Sequence, residues 1–494
     1  MDKTLKKSRL LLLSLIVLPA MAQQTKPNQA WGEPTKQEMT MTTYTTDPDA
    51  DAVELFRAVE VNYVTGRTTR INVDYHVRRR IKVLKPHGER FADVKILFRN
   101  PKNGIPAQEH VSGLRADGQL LGHEGLFSAK NLTEYVTGLK ATAYNMVSGK
   151  VVKTDMRSNT VNNERIDWLT CRKTFRVPDV KVGTVIEYEY TIESEFYFDL
   201  RDWYAQSTIP VVWTSYQLSI PEWFDFHIEA TGSKPLESRT SKGTIDNQGR
   251  SLLTREYTFT GQNLPALRDD SQEDDICKVR HELQDIYVPH PLQDMNTVYQ
   301  SYSEKWEDVV DLLIDDEEFG WRIKNSSPLK DEIVKAGIPT IADKWERATA
   351  VLRLLQQYVR WNGDYSLWAK RSASNVLKEG TGTNAEINFL LINMLHDAGV
   401  KAYPVVLRSH DLGSLPSWPT IKYLSTFVVG IAINDSTTAF VDGSILEDPR
   451  LDTLPVQLKT DRALAIQMKG TSGWSKMQGI ASQKRIVTEW VSLK

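Results

Sequence analysis

The spacing of apolar residues changes along this chain from a repeat of two to a repeat of about 3.6 and then back, and that change limits the fold more than any single motif. Ile71, Val73, Tyr75 and Val77 alternate with polar neighbours. Ile186, Tyr188, Tyr190 and Ile192 alternate in the same way with Glu187, Glu189, Thr191 and Glu193. Successive strand side chains point to opposite faces, so alternation means one buried and one wet face, as in antiparallel sheets. Turn signals at Pro86-His87-Gly88, Ser148-Gly149, Lys181-Val182-Gly183 and Asp246-Asn247-Gln248-Gly249 cut these runs into strands. Residues 53–290 thus predict an all-β, sandwich-like N-terminal domain. From 295 the period is helical: Ala348, Val351, Leu352, Leu355 and Val359 form one apolar stripe. Ile387, Leu390, Leu391, Met394, Leu395 and Ala398 form a second, which Gly399 is placed to stop. Strands return at Ala402–Leu407, Phe427–Ile433 and Thr438–Val441, so residues 295–450 predict an α+β domain.

The remaining segments are read by composition. Residues 23–52 are polar and read as a linker or loosely docked arm. Residues 451–494 hold short β-like stretches with too few apolar residues for a core of their own, and read as a tail or the start of a further β domain. A chain of 494 residues allows about three domains. With 61 basic and 63 acidic residues the net charge is −2, which excludes a strongly basic nucleic-acid binder. Two cysteines, Cys171 and Cys277, exclude a disulfide scaffold and a Cys-rich metal protein.

Residues 1–22 read as a secretory signal. Lys3, Lys6, Lys7 and Arg9 precede an apolar run from Leu10 to Pro19, and Ala20-Met21-Ala22 is an A-x-A cleavage site that would leave Gln23 first. No later apolar stretch approaches the roughly 20 residues of a membrane span. The expectation is a soluble protein, periplasmic or otherwise exported, with no transmembrane segment after cleavage. In an oxidising compartment Cys171 and Cys277 have the option to pair, which sequence leaves open.

Few residues carry the pattern of a reactive site. There is no H-E-x-x-H, C-x-x-C, G-x-S-x-G, Walker loop or G-x-G-x-x-G, and the nine histidines are scattered. No metal and no cofactor are expected. His410-Asp411 are adjacent, and surface loop polarity explains them. Trp203, Tyr204, Trp213, Tyr216, Trp223 and Phe224 cluster in sequence, as core packing or as a stacking platform for a sugar or peptide. Arg78-Arg79-Arg80 reads as a solvated face rather than an anion site. Pro210 and Pro221 bracket Val211–Ile220, which reads as an edge strand.

The informative stretch is Gly380-Thr381-Gly382-Thr383-Asn384-Ala385-Glu386-Ile387-Asn388, which opens an amphipathic helix and is followed by Ala398-Gly399-Val400 and Ala402-Tyr403-Pro404-Val405-Val406. It resembles the transglutaminase-like, papain-related fold, whose pattern is G-x-C, an acidic residue two further on, an apolar helix and then a strand. The resemblance implies a Cys-His-Asp triad with the nucleophile at a helix N-terminus. Carried onto this chain, the Cys position is Asn384, the His position is Thr426 (or Ser425) and the Asp position is Asp442. An amide and a hydroxyl replace nucleophile and base, so the triad is degenerate. Thr383 with Glu386 also fits a capping box, which explains the stretch as a helix start. Trp361-Asn362-Gly363 is a candidate lining beside Asn384.

Earlier segments carry a second resemblance. Arg78-Arg79-Arg80-Ile81-Lys82-Val83-Leu84, Val177 to Tyr188, Gln206 to Val211 and Gln262 to Leu267 resemble a domain of unknown function. That domain commonly precedes transglutaminase-like domains in exported proteins of Gram-negative bacteria. Three functions compete. The first is a non-catalytic exported protein that binds a protein or cell-envelope polymer. The second is an active peptidase, amidase or acyltransferase using another nucleophile such as Thr383 or Ser366. The third is a structural module of an envelope assembly.

Overall fold

The computed structural model describes residues 27–65, 71–101, 132–167, 169–247, 250–268, 271–287, 298–301, 305–323, 326–445, 450–460, 462–467, 472–477 and 481–483. The proposed signal, residues 1–22, lies outside them. The chain is mostly β, built from several sheets in more than one domain.

The first unit is organised on an eight-stranded sheet. Its strands are β1 (Ala52–Thr65), β2 (Ile71–Val83), β3 (Glu134–Val147), β4 (Lys150–Asp155), β5 (Val185–Ser194), β6 (Val211–Pro221), β8 (Glu237–Asn247) and β9 (Arg250–Leu264), with β7 (Phe224–Thr231) outside it. Across the sheet they run β8-β9-β6-β1-β2-β5-β3-β4. The predicted alternation is present: Val73, Tyr75 and Val77 on β2 and Ile186, Tyr188 and Ile192 on β5 are buried in one core. Ser148 (φ +49) and Gly149 (φ +76) make the tight β3–β4 turn, where both positions require left-handed backbone. β7 and β10 (Lys278–Tyr287) pair in a smaller sheet. Four of the six clustered aromatics are core: Trp203 stacks on Tyr216 at 5.1 Å, and Trp203, Trp213, Tyr216 and Phe224 are buried, while Trp223 is partly buried and Tyr204 exposed.

Three expectations for this unit are corrected. Val211–Ile220 is not an edge strand; β6 lies in the middle, parallel to β1 on one side and antiparallel to β9 on the other. Pro210 precedes the strand and Pro221 occupies its last pair, so neither removes an interior N–H from the ladder. Arg78–Arg80 is not a solvated face. Arg80 is fully buried and donates to Glu187 at 2.7 Å, while Arg79 and Arg78 pair with Glu54 and Glu189. The polar residues after position 27 are not loosely attached. Met39, Tyr44 and Ala50 pack with Val53, Leu55, Leu84, Tyr144 and Val185. Arg80 donates to the carbonyls of Asn28 and Ala30, both at 2.8 Å, and Lys82 to that of Met39 at 2.8 Å. A polar arm docks here because buried cations bind its backbone, a contact that leaves no apolar trace in its own sequence.

The second unit follows the helical period. Helix α1 (Lys344–Leu355) starts where Asp343 accepts from Glu346 N–H, and α2 (Asn384–Asp397) carries the second apolar stripe. Gly399, at φ +74, follows α2 as expected. α2 packs on a seven-stranded sheet containing β11 (Ala402–Leu407), β12 (Thr426–Ala432), β13 (Thr438–Val441), β14 (Thr453–Pro455), β15 (Ala463–Ala465), β16 (Gly473–Ser475) and β17 (Ala481–Gln483). Their order is β16-β15-β11-β12-β13-β14-β17. The segment after 451 is therefore no separate β domain. It supplies four strands to this sheet and buries Leu454, Leu458 and Ala463 with Val405 and Leu407. Its apolar residues are few because the partner strands supply the rest of the core. Cys171 and Cys277 are both free thiols.

Candidate functional site

The start of α2 is fixed by its own sequence. Thr383 accepts from Glu386 N–H, and the Glu386 carboxylate accepts from Thr383 N–H at 3.0 Å, completing the capping box. Burial pushes the Glu386 carboxyl up, but Arg371 and the Thr383 N–H outweigh it and hold it below its ordinary value. A short bridge between Arg360–Trp361 and Thr381–Gly382 brings the 362–366 segment alongside, and Asn384 N–H donates to Asp364 O at 3.1 Å.

Asn384, Thr426 and Asp442 belong to one buried cluster, with no measurable solvent exposure at any of the three. The Asn384 amide donates to Thr426 Oγ1 at 2.5 Å and to Phe427 O at 3.3 Å, and its Oδ1 accepts from Ser366 N–H at 2.7 Å. Asp442 is hydrogen-bonded to neighbours other than Thr426. It accepts from Ser444 Oγ at 2.6 Å and from Asn388 Nδ2 at 3.2 Å. Burial pushes its carboxyl up, against the donors Ser444 and Asn388. Asn388 is the link: it also donates to Phe427 O at 3.0 Å and accepts from Gly443 N–H at 2.7 Å.

Asn388 was absent from the sequence-based candidates, yet it left a signal. Asn384 and Asn388 are four apart, hence on one face of a helix whose other residues through Leu395 are apolar except Glu386 and Asn393. Two amides at that spacing inside an apolar stripe must find partners in the core. From this loop the residues that meet Asn384 are Asp364 and Ser366, just past the 361–363 segment, whose Trp361 and Asn362 pair with Gly382. Tyr365 packs against Trp361 at 4.8 Å and accepts from Gln457 Nε2 at 3.3 Å.

The alternative nucleophiles are engaged elsewhere. Ser366 Oγ donates to Trp368 O at 2.8 Å, and Thr383 Oγ1 serves the cap. His410 and Asp411 lie in a short 3-10 turn at the surface. Among the described residues no group of three or more His, Cys, Asp or Glu is placed to hold a metal ion, and no helix is long and apolar enough to cross a membrane. The cluster can hold chain segments together by neutral hydrogen bonds; it holds no thiolate, imidazole or accessible carboxylate.

Against known proteins, residues 143–268, from within β3 to just past β9, match the family described as "Domain of Unknown Function with solved-structure structure (DUF3857)". No curated protein matches the chain. Among solved structures it is similar to a provisionally named protease from Parabacteroides distasonis, at 15% identity over 86% of this chain and 72% of that one, with a TM-score of 0.47. It is also similar to a provisionally named cysteine protease from Cytophaga hutchinsonii, at 12% identity over 63% and 79% of the two chains, with a TM-score of 0.17. A provisionally named nutrient-binding protein from Legionella pneumophila gives 10%, 71%, 94% and 0.19 for the same quantities.

Proposed function

We propose that this is a non-catalytic exported protein whose second unit keeps a transglutaminase-like framework with a degenerate triad, and that it works by binding a protein or cell-envelope polymer. The reading rests on one observation: Asn384, Thr426 and Asp442 have no solvent exposure and direct their polar atoms into the protein. Acyl transfer needs a nucleophile within reach of both a base and a substrate carbonyl, and this cluster has neither reach nor nucleophile. Binding then falls to the surface. The β3–β4 hairpin bares Met146, Val147, Val151 and Val152, and β4 ends the eight-stranded sheet among the described residues. An apolar hairpin on a sheet edge suits an extended protein segment better than a glycan.

Incubation of the purified protein with cell-wall peptides and model amides, read by mass spectrometry, should leave every substrate intact. Turnover that Asn384→Ala abolishes in a folded protein would overturn the proposal. N-terminal sequencing of the mature protein should begin at Gln23, and a chain that keeps Met1 would remove the export part alone.

A further inference from the structure

The turn that leads to Ser366 brings an amide and a glycine into reach of each other. Asn362 Oδ1 accepts from Asp364 N–H at 3.0 Å, and its Nδ2 donates to Asp364 Oδ2 at 3.1 Å. The first contact is an Asx turn, which closes a ring containing both the amide carbon of Asn362 and the backbone nitrogen of Gly363. Asn362, Gly363 and Asp364 are all exposed. Gly363 takes φ +98, and no atom beyond its chain neighbours lies within 4 Å of where a Cβ would sit. Its N–H has no partner among the described residues, so that nitrogen is open to solvent base.

Two other asparagines fold back in the same way. Asn28 Oδ1 accepts from Ala30 N–H and Asn434 Oδ1 from Ser436 N–H, each at 3.0 Å, and both asparagines are exposed. They precede Gln29 and Asp435, whose side chains crowd the approach of the next nitrogen to the amide carbon. Of these three turns only the one at 362 is followed by glycine, which has no Cβ and takes left-handed backbone freely.

We propose that Asn362-Gly363 is a self-modification site, at which the chain turns an amide beside the Asn384 cluster into a carboxylate. Solvent base takes the proton from Gly363 N. That nitrogen attacks Asn362 Cγ, the Cγ–Nδ2 bond breaks, and ammonia leaves. Water then opens the cyclic imide at either carbonyl, giving aspartate or isoaspartate. The sum is one water consumed and one ammonia released. The product loses the donor to Asp364 Oδ2 and sets a second negative charge beside it. Asp364 O accepts from Asn384 N–H at 3.1 Å and from Trp361 Nε1 at 2.9 Å, and Ser366 N–H donates to Asn384 Oδ1. Repulsion between 362 and 364 therefore loosens the outer clasp on the start of α2. The conversion uses no substrate, so it stands apart from whatever the protein binds.

Peptide mapping of the full chain, held folded in mildly alkaline buffer and sampled over time, tests it. The tryptic peptide 361–370 holds a single asparagine, Asn362. It should gain the mass difference between an amide and an acid, split into two species of equal mass, and convert faster than the peptides carrying Asn28 and Asn434. A peptide 361–370 that stays intact, or converts no faster than those two, would overturn the proposal. Asn362→Asp reads the consequence for the cluster by hydrogen exchange. The Asn384 and Ser366 amides should exchange about tenfold faster, the protection of roughly one hydrogen bond, while 387–395 keep their rate. Unchanged exchange at both amides would overturn the link to the Asn384 cluster. The mapping uses the unaltered chain, so it decides even if that variant fails to fold.

Discussion

Each unit buries a polar cluster, and the two are built on opposite principles. Under the arm of the first unit the cluster is ionic: Arg80 and Lys82 face Glu187, Glu38 and a row of backbone carbonyls. At the start of α2 it is neutral at its centre, with Asn384, Asn388 and Thr426 trading amide and hydroxyl hydrogen bonds around Phe427 O. A buried charge that loses its partner is stranded in a poor solvent, whereas a neutral amide that loses one leaves only an unsatisfied hydrogen bond. The first arrangement fixes a segment in place at high risk; the second closes a site at low risk.

The sharpest test of that contrast is Arg80→Ala. It strands Glu187 in the core and unties the arm, so denaturant unfolding should show a loss of about 3–5 kcal/mol. A loss under 1 kcal/mol would place both clusters in one class. Asn384→Ala should cost less, about 1–3 kcal/mol by the same measurement, because it strands only Ser366 N–H and Thr426. Thr383→Ala, which removes the cap but leaves the cluster, should cost about 1 kcal/mol and read mainly as fraying of the first turn of α2.

The smallest effect has the opposite sign. Burial raises the Asp442 carboxyl, so the folded protein keeps that proton to higher pH than the unfolded chain. The stability tied to the proton is present in acid and is lost as pH rises through the folded value. Asp442→Asn should therefore lessen the loss of stability as pH is raised from 3.8 upward, read as unfolding midpoints across a pH series. A loss that deepens would show that Ser444 and Asn388 outweigh burial.

How much of this was legible depended on whether a residue's partner lay nearby in sequence. The alternation on β2 and β5, the stripes of α1 and α2 and the Thr383–Glu386 box all report local periods, and each forms the expected element. Asn384 and Thr426 do meet, while Asp442 reaches them only through Asn388. The arm, the triple arginine and the strands after 451 leave no sign of their burial in sequence because it is conferred from far away. Arg80 gains its environment from Glu187 and from Asn28, and β15 gains its own from β11. β6 was misread because prolines mark strand ends as readily as sheet edges. On β10 the alternation of Lys278, Arg280 and Glu282 looks like a wet face in sequence, yet Arg280 donates to Ser414 O and Glu282 accepts from Trp418 Nε1.

The parallel pairing of β6 with β1 governs the order in which this chain can assemble. Thr214 reaches the carbonyl of Arg57 across 157 positions, while β1 with β2 and β3 with β4 join near neighbours. Hairpins close in microseconds, but a contact that distant waits on the entropy of a very long loop. Until β6 arrives, one flank of β1 stays bare, an interval in which a chaperone or an unwanted aggregate would find its grip.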